Sequence, residues 1–211
     1  MGLFSFSKKS PAPVLSGPYK DNAINLIYHL LFCDDIELLK ANTAPPYSYP
    51  MDVLFSEKNS VNDLQKIIED GTSDPRIKAL TYNKLLLSGH KPIKKELLAV
   101  IVEVGLDNGL DVLASFNNGT ARYINHTGKI LIWETTTDEK SNELTKALFT
   151  NSQTIVSKIG PWDKPRLLHP KKENVRLSFL VSDGLYFGEG PIDVLFNDPM
   201  ASPALSDATQ L

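Results

Sequence analysis

The sequence predicts an α+β protein, in which a helical N-terminal part packs on an antiparallel β-meander sheet of about five or six strands and one long helix crosses a face of the sheet. Apolar residues recur at helical spacing before residue 92, and β-branched runs separated by tight turns follow it. The helical period then returns over residues 138–159. The turns are too short for the crossover of a dozen or more residues that parallel strands need, so neighbouring strands must run antiparallel.

The first half of the chain carries signals that begin and end helices. Asp21 is a plausible N-cap ahead of a single apolar stripe. Ser60 begins another helix in a capping-box pattern, and Asp74-Pro75 begins a third with a cap and a first-turn proline. Residues 51–55 are predicted as a short strand or turn. The predicted helices cover residues 21–33, 35–40, 61–70 and 75–88.

The second half of the chain is typical of strands joined by turn residues. The apolar run over residues 97–104 is long enough for a strand that is buried on both faces. Asn117-Asn118-Gly119 marks a tight hairpin turn, and similar turn residues separate the other strands. The predicted strands cover residues 97–104, 110–116, 120–125, 129–135, 175–181 and 185–187.

A long helix is predicted over residues 138–159, where an apolar stripe ends at Gly160-Pro161. At about 1.5 Å per residue this helix is about 33 Å long, which is enough to cross a sheet face. The pattern ends with a short helix or strand at residues 192–196 and a terminal helix that begins near Ser206.

The change in composition along the chain also predicts its domain organisation. Residues 1–19 are rich in Ser, Pro and Lys without a period, which predicts a flexible N-terminal arm. The change near residue 92 separates a mainly helical part, 20–92, from the sheet with its long helix, 93–211. A single domain over residues 20–211 is equally compatible with the length.

The composition excludes several classes of protein. The 211 residues are 42% apolar and 22% charged with a formal net charge of -3, which fits a globular chain and not a disordered one. No run approaches the about 18 apolar residues of a spanning helix, so no membrane partner is expected. Cys33 is the single cysteine and the N-terminus lacks the charge order of a signal peptide, which favours a cytoplasmic location.

No metal site and no cofactor are predicted. The histidines His29, His90, His126 and His169 have no His or Cys partner at the local spacings of metal ligands, and glycine-rich phosphate-binding motifs are missing. An enzyme is the alternative function, with a hydrolase-like site around His126 or Cys33 whose other members come from distant parts of the chain. Cys33 follows an apolar run, so a buried structural thiol is the favoured interpretation of that residue.

The segment 117–134 carries the most distinctive side chains. The period of two places Arg122 on one face of its strand and Tyr123 with Asn125 on the other. Tyr, Trp and Arg are enriched at interfaces. The sequence therefore predicts a non-enzymatic binding module that recognises a protein or small ligand through this meander, unless Trp133 packs under the long helix and the polar residues only face solvent. The predicted binding residues here are Arg122, Tyr123, Asn125, His126 and Trp133.

A basic segment adds Trp162 and Arg166 to the predicted binding residues. Residues 158–176 carry six basic residues against two acidic ones, and the chain from residue 177 carries five acidic residues without Lys or Arg. Such a segment has the composition to contact an acidic protein or a nucleic acid. Pairing with the acidic tail is the favoured interpretation, so a nucleic-acid partner is not expected. The sequence leaves the partner and the oligomeric state open.

Overall fold

The computed structural model describes residues 16–211, so most of the predicted N-terminal arm lies outside the described residues. The helices are α1 (Asn22–Leu30), α2 (Ile36–Ala41), α3 (Met51–Leu54), α4 (Val61–Glu69), α5 (Pro75–Leu87), α6 (Glu139–Val156), α7 (Ile192–Asn197) and α8 (Ser202–Gln210). The strands are β1 (Leu97–Leu106), β2 (Gly109–Phe116), β3 (Thr120–Ile124), β4 (Ile130–Glu134), β5 (Asn174–Val181) and β6 (Gly184–Pro191). A 3-10 turn at Thr135–Thr137 connects β4 to α6.

A six-stranded antiparallel sheet in the order β4-β3-β2-β1-β5-β6 forms the centre of the fold. The predicted fold class is confirmed, because the N-terminal helices pack on one face of the sheet and α6 packs on the other. The chain passes through α6 between β4 and β5, and β5 then pairs with β1. This pairing makes β1 a central strand, which explains its nearly continuous apolar sequence.

The alternation of side chains along β1 separates two hydrophobic cores. Ile101 belongs to the core beneath helices α1–α5, together with Phe32 and Leu80. Val100 belongs to the second core, together with Leu148 of α6. We call the side of the sheet under α1–α5 the N-terminal face and the side under α6 and α8 the C-terminal face.

Capping side chains begin helices where the sequence predicts them. The Ser60 hydroxyl accepts from the backbone N–H of Asp63 at 3.2 Å, and the Asp63 carboxylate accepts from the backbone N–H of Ser60 at 3.2 Å. This reciprocal pair is the predicted capping box of α4. The Asp138 carboxylate accepts from the backbone N–H of Ser141 at 2.8 Å and begins α6 in the same way.

Two short elements differ from the sequence prediction. Residues 51–54 form the helix α3 instead of a strand or turn. Four residues are too few for the apolar period to distinguish a helix from a strand. The terminal helix α8 begins at Ser202 instead of near Ser206, with Pro203 in its first turn, where a missing N–H costs no helical hydrogen bond.

Helix α6 is shorter at its C-terminus than the predicted 138–159. It ends at Val156, because the backbone N–H of Lys158 bonds to the carbonyl of Ile155 at 2.8 Å and tightens the last turn. Its 18 residues still span about 27 Å of the sheet face. Within residues 16–211, no helix combines the length and the apolar character that crossing a membrane requires.

The N-terminal helices and the sheet contribute to a common core. Tyr19, the last residue of the predicted arm, is buried and donates its hydroxyl to the carbonyl of Leu110 at 2.9 Å. Asn25 binds the backbone of Tyr19 in both directions at 2.9 Å, so the entry to α1 is held against β2. The predicted division near residue 92 stays a prediction.

Candidate functional site

The strand register distributes the meander residues over both sides of the sheet. Tyr123 lies opposite Leu131, and Trp133 follows two residues farther along β4, so the three side chains share the C-terminal face. Arg122, one residue earlier on β3, lies on the N-terminal face. Arg122 therefore cannot act on the same ligand surface as Tyr123 and Trp133.

Tyr123 and Trp133 line an open groove on the C-terminal face. The second core, under α6 and α8, lies over β1 and β5. Farther across the C-terminal face, Ser115 and Ala121 are buried, whereas Tyr123, Leu131 and Trp133 are partly or fully exposed. The groove has a volume of about 350 Å³, and the end of α8 forms one wall. We call its floor the open half-face, which consists of Val104, Asp111, Leu113, Tyr123, Leu131 and Trp133.

Trp133 does not pack under the long helix. Its side chain is partly buried and lines the groove beside Leu211, the residue that follows α8. The buried residues Leu148 and Ile155 of α6 instead pack into the core over β1 and β5. The long helix therefore covers one half of the C-terminal face and leaves the aromatic half accessible.

Asp111 is the acidic group of the open half-face, and the protein itself occupies both of its oxygens. The Tyr123 hydroxyl donates to Oδ2 at 2.8 Å, and the backbone N–H of His126 donates to Oδ1 at 2.6 Å. Burial and the bond to Asp111 raise the pKa of Tyr123 to about 12. Tyr123 therefore keeps its proton near neutral pH and is held in one orientation.

His126 and Asn125 belong to the turn between β3 and β4. The His126 Nδ1 atom lies 3.2 Å from Asp111 Oδ1, and the side chain is 44% exposed. The side-chain oxygen Oδ1 of Asn125 accepts from the backbone N–H groups of Thr127 and Lys129, both at 3.0 Å, which stabilises the turn. Among residues 16–211, no hydroxyl or thiol hydrogen-bonds to the second ring nitrogen of His126, so the pair with Asp111 has no adjacent nucleophile.

Arg122 lies between the sheet and helix α5. Its guanidinium carbon is 5.7 Å from the centre of the Phe116 ring, and Arg76 lies at the same distance from that ring. Arg76 forms a two-pronged ion pair with Asp74. The side chain of Arg122 is partly buried under the N-terminal helices and supports their packing on β3.

Cys33 lies on the opposite side of the sheet from His126. It is 3% exposed, and its thiol donates to the carbonyl of Leu31 at 3.5 Å. Burial raises the pKa of Cys33 far above its ordinary value, so the thiolate that a nucleophile needs is not formed near neutral pH.

We therefore expect the Cys33 thiol to be unreactive toward iodoacetamide in the folded protein and to react fully in denaturant, because only unfolding exposes it. Mass spectrometry of the alkylated chain measures this. Rapid native alkylation would instead indicate an accessible thiolate and revive the hydrolase-like alternative.

Trp162 and Arg166 lie near the opposite edge of the sheet, beside α1 and β6. The Arg166 Nε atom donates to Asp34 at 2.7 Å, its guanidinium stacks 3.9 Å from the Phe32 ring, and a second nitrogen lies 3.1 Å from His29 Nδ1. The Trp162 indole N–H donates to the carbonyl of Pro165 at 3.0 Å. Both residues border a wide groove of about 1000 Å³, but their polar groups already have partners within the chain.

Other members of the basic segment are also paired internally. Arg176 contacts Glu189 of the acidic tail at 2.6 Å, and Lys172 contacts Asp107 at 2.6 Å. These pairs leave less positive charge free for a phosphate backbone. The acidic partners of these basic residues therefore come partly from the acidic tail, as Glu189 does, and partly from an earlier turn, as Asp107 does.

Four residues of the groove are not among the predicted binding residues: Val104, Asp111, Leu113 and Leu131. The sequence does contain a pattern that indicates Leu131, because the period of two along β4 places it on the same face as Trp133. The other three become part of the groove only because β1, β2 and β3 are neighbours in the sheet and α8 stops beside them. Across the described part of the chain, no three His, Cys, Asp or Glu side chains are grouped as metal ligands.

Comparison with known proteins adds no assignment. No protein-family model, curated protein or solved structure matches the chain.

Proposed function

We propose that this protein is a non-enzymatic binding module whose open half-face receives an amphipathic helix of a partner protein. The observation that carries the proposal is the uncovered apolar part of the C-terminal face, where Tyr123, Leu131 and Trp133 lie side by side. Leu131 is 57% exposed. Apolar side chains grouped on an accessible sheet face favour contact with another apolar surface.

The polar chemistry of the groove favours a protein partner over a small polar ligand. Small-ligand sites use a few free polar groups to orient the ligand. Here both oxygens of Asp111 accept hydrogen bonds from Tyr123 and His126, so that carboxylate is already satisfied. The surface that remains available for binding is mainly apolar.

The dimensions of the open half-face favour a helix. The four strands β1–β4, about 4.8 Å apart, span about 14 Å between the outer strands, which is wide enough for a helix with its side chains, about 10–12 Å in diameter. A helix beside α8 would continue the helical layer that α6 and α8 begin. Its apolar residues would contact Leu131 and Trp133.

The hydrolase-like alternative has less support. His126 is exposed in a turn and Cys33 is buried under the N-terminal helices, so these two residues are on opposite sides of the sheet. A covalent mechanism needs a nucleophile within hydrogen-bond reach of its base.

A library of displayed helical peptides, selected on the immobilised protein, tests the proposed function. We expect the selected peptides to bind Trp133→Ala and Leu131→Ala at least about tenfold more weakly than the wild type, because both truncations remove exposed apolar contact area from the open half-face. Fluorescence anisotropy with labelled peptides measures the affinities. Circular dichroism establishes that the variants remain folded.

Leu168→Ala is the matched control for Leu131→Ala. Leu168 is 81% exposed and does not line the groove, so the same truncation should leave peptide affinity unchanged. If no selected peptide depends on Trp133 or Leu131, the open half-face is not the binding surface and the proposal is wrong.

A further inference from the structure

The two edges of the sheet differ in how they are protected. At the β6 edge, the backbone N–H of Trp162 donates to the carbonyl of Leu185 at 2.7 Å, so the segment after α6 covers part of that strand. At the β4 edge, Leu131 is 57% exposed on the C-terminal face and Ile132 is 63% exposed on the N-terminal face. An edge strand with apolar side chains on both faces is a template for further strand pairing.

Within residues 16–211, the hydrogen-bond register shows which backbone groups of β4 point away from β3. The carbonyl of Lys129 accepts from the N–H of Asn125 at 3.0 Å, and the N–H of Thr135 donates to the carbonyl of Gly119 at 2.7 Å. In an antiparallel pair the backbone groups of every second residue bond to the neighbouring strand. The backbone groups of the odd-numbered residues of β4 therefore bond to β3. The backbone groups of Ile130, Ile132 and Glu134 consequently face outward.

We propose that β4 pairs antiparallel with β4 of a second copy of this chain, around a two-fold axis at Ile132. In this register Ile132 lies opposite Ile132 of the second copy, and Ile130 lies opposite Glu134. The outward backbone groups of both strands then meet in hydrogen-bonded pairs. A contact of this type is self-complementary, as a two-fold interface requires.

The side chains of β4 also fit this register. Leu131 lies opposite Trp133 of the second copy on the C-terminal face, and the two-fold axis repeats that aliphatic–aromatic pair. Such cross-strand pairs stabilise antiparallel sheets. On the N-terminal face the two Ile132 side chains contact each other and become shielded from water.

The charges at the ends of β4 favour the antiparallel orientation. Lys129 precedes the strand and Glu134 ends it. Antiparallel pairing brings the basic end of each strand near the acidic end of the other, whereas parallel pairing would place like charges together. An unrelated peptide strand would satisfy the backbone groups without this reciprocal charge pattern, so a second copy is the occupant that the edge fits.

This inference does not require the proposed function. Leu131 and Trp133 belong to both surfaces, but the test depends on Ile132, which faces away from the open half-face. Paired in this way, the six strands of each copy form one continuous sheet. The two open half-faces then lie next to each other across the two-fold axis.

Sedimentation equilibrium of the full chain over micromolar concentrations tests the dimer. The wild type should show the mass of two chains, and Ile132→Lys should show the mass of one, because it places two ammonium groups at the two-fold axis. Ile93→Lys is the matched control. Ile93 is fully exposed and lies outside β4, so that variant should keep the mass of two chains.

Cysteine cross-linking provides a second measurement. Ile132→Cys should form an intermolecular disulfide under mild oxidation, since paired strands place the two Cα atoms about 5.5 Å apart. Ile93→Cys should cross-link far less, and Cys33 is buried and should not interfere. A wild type that stays monomeric throughout, or an Ile132→Lys variant that keeps the mass of two chains, would overturn the proposal. Ile132→Lys should still bind the selected peptides, because residue 132 faces away from the open half-face. Measuring its peptide affinity therefore distinguishes a failure of the dimer from a failure of the proposed function.

Discussion

Replacing Arg176 by Met should destabilise the fold by about 3–5 kcal/mol, because it leaves the buried carboxyl of Glu103 without its cation. Arg176 is 3% exposed, and its guanidinium donates to Glu189 at 2.6 Å and to the carbonyl of Leu168 at 2.5 Å. Its Nη1 atom lies 3.5 Å from Oε2 of Glu103, which is fully buried. Urea denaturation at constant pH measures the change in the free energy of unfolding.

The loss of stability in Arg176→Met should also increase with pH. Burial raises the pKa of Glu103, against the opposing effects of the Tyr28 hydrogen bond and of Arg176. A carboxyl whose pKa is raised by folding contributes stability below its unfolded pKa and loses it as the pH rises through the folded pKa. Removal of Arg176 raises the folded pKa of Glu103 further. The destabilisation should therefore be smaller in mildly acidic than in mildly alkaline solution.

Two further variants separate the buried charge from the loss of packing. In Glu103→Gln combined with Arg176→Met, no charge remains at residue 103, so the double variant should be more stable than Arg176→Met alone. Lys172→Met removes the exposed pair with Asp107 and should leave stability nearly unchanged, because solvent screens exposed ion pairs. Equal effects of Arg176→Met and Lys172→Met would contradict the interpretation of the buried network.

Gly105→Ala should destabilise the protein by about 3 kcal/mol, the upper end of the usual cost of overpacking. A Cβ atom at residue 105 would lie 2.0 Å from the backbone carbonyl oxygen of Lys171, because the chain before β5 crosses the end of β1 there. The backbone N–H of Glu173 also donates to the carbonyl of Gly105 at 3.0 Å. Relief of the clash requires this crossing segment to move, which disrupts that bond.

The matched control is Gly188→Ala in β6. No atom lies within 4 Å of a Cβ built at residue 188, so this variant should change the free energy of unfolding by at most about 0.5 kcal/mol. Thermal denaturation of both variants measures the difference. If Gly105→Ala were as stable as Gly188→Ala, the close crossing over β1 would not be rigid.

Much of the fold follows from local signals. Ser60 and Asp138 begin helices because their side chains accept from backbone N–H groups that a helix leaves unpaired. The short turns of the meander permit only antiparallel neighbours. Residues 51–54 show the limit of this approach, because so short an apolar segment is compatible with either a strand or a helix.

The candidate site was less predictable. Along β3 and β4 the period of two separates Arg122 from Tyr123 and joins Leu131 to Trp133 before any packing is known. The contact between Arg166 and Asp34 joins residues 132 positions apart, and no local pattern indicates it. The pairing of Asp111 with His126 likewise depends on the register between β2 and β3.

The sequence by itself determined which residues form most helices and strands, that the meander is antiparallel, and that Arg122 and Tyr123 lie on opposite faces of their strand. These properties arise from backbone geometry and from side chains only a few residues apart. Only the tertiary structure decided that α6 and α8 cover one half of the C-terminal face, and that β4 is an edge strand with no further strand paired to it within residues 16–211. Which face a helix covers and which strand lies at the edge of the sheet depend on contacts between elements that are far apart in the sequence. Local patterns therefore do not predict them.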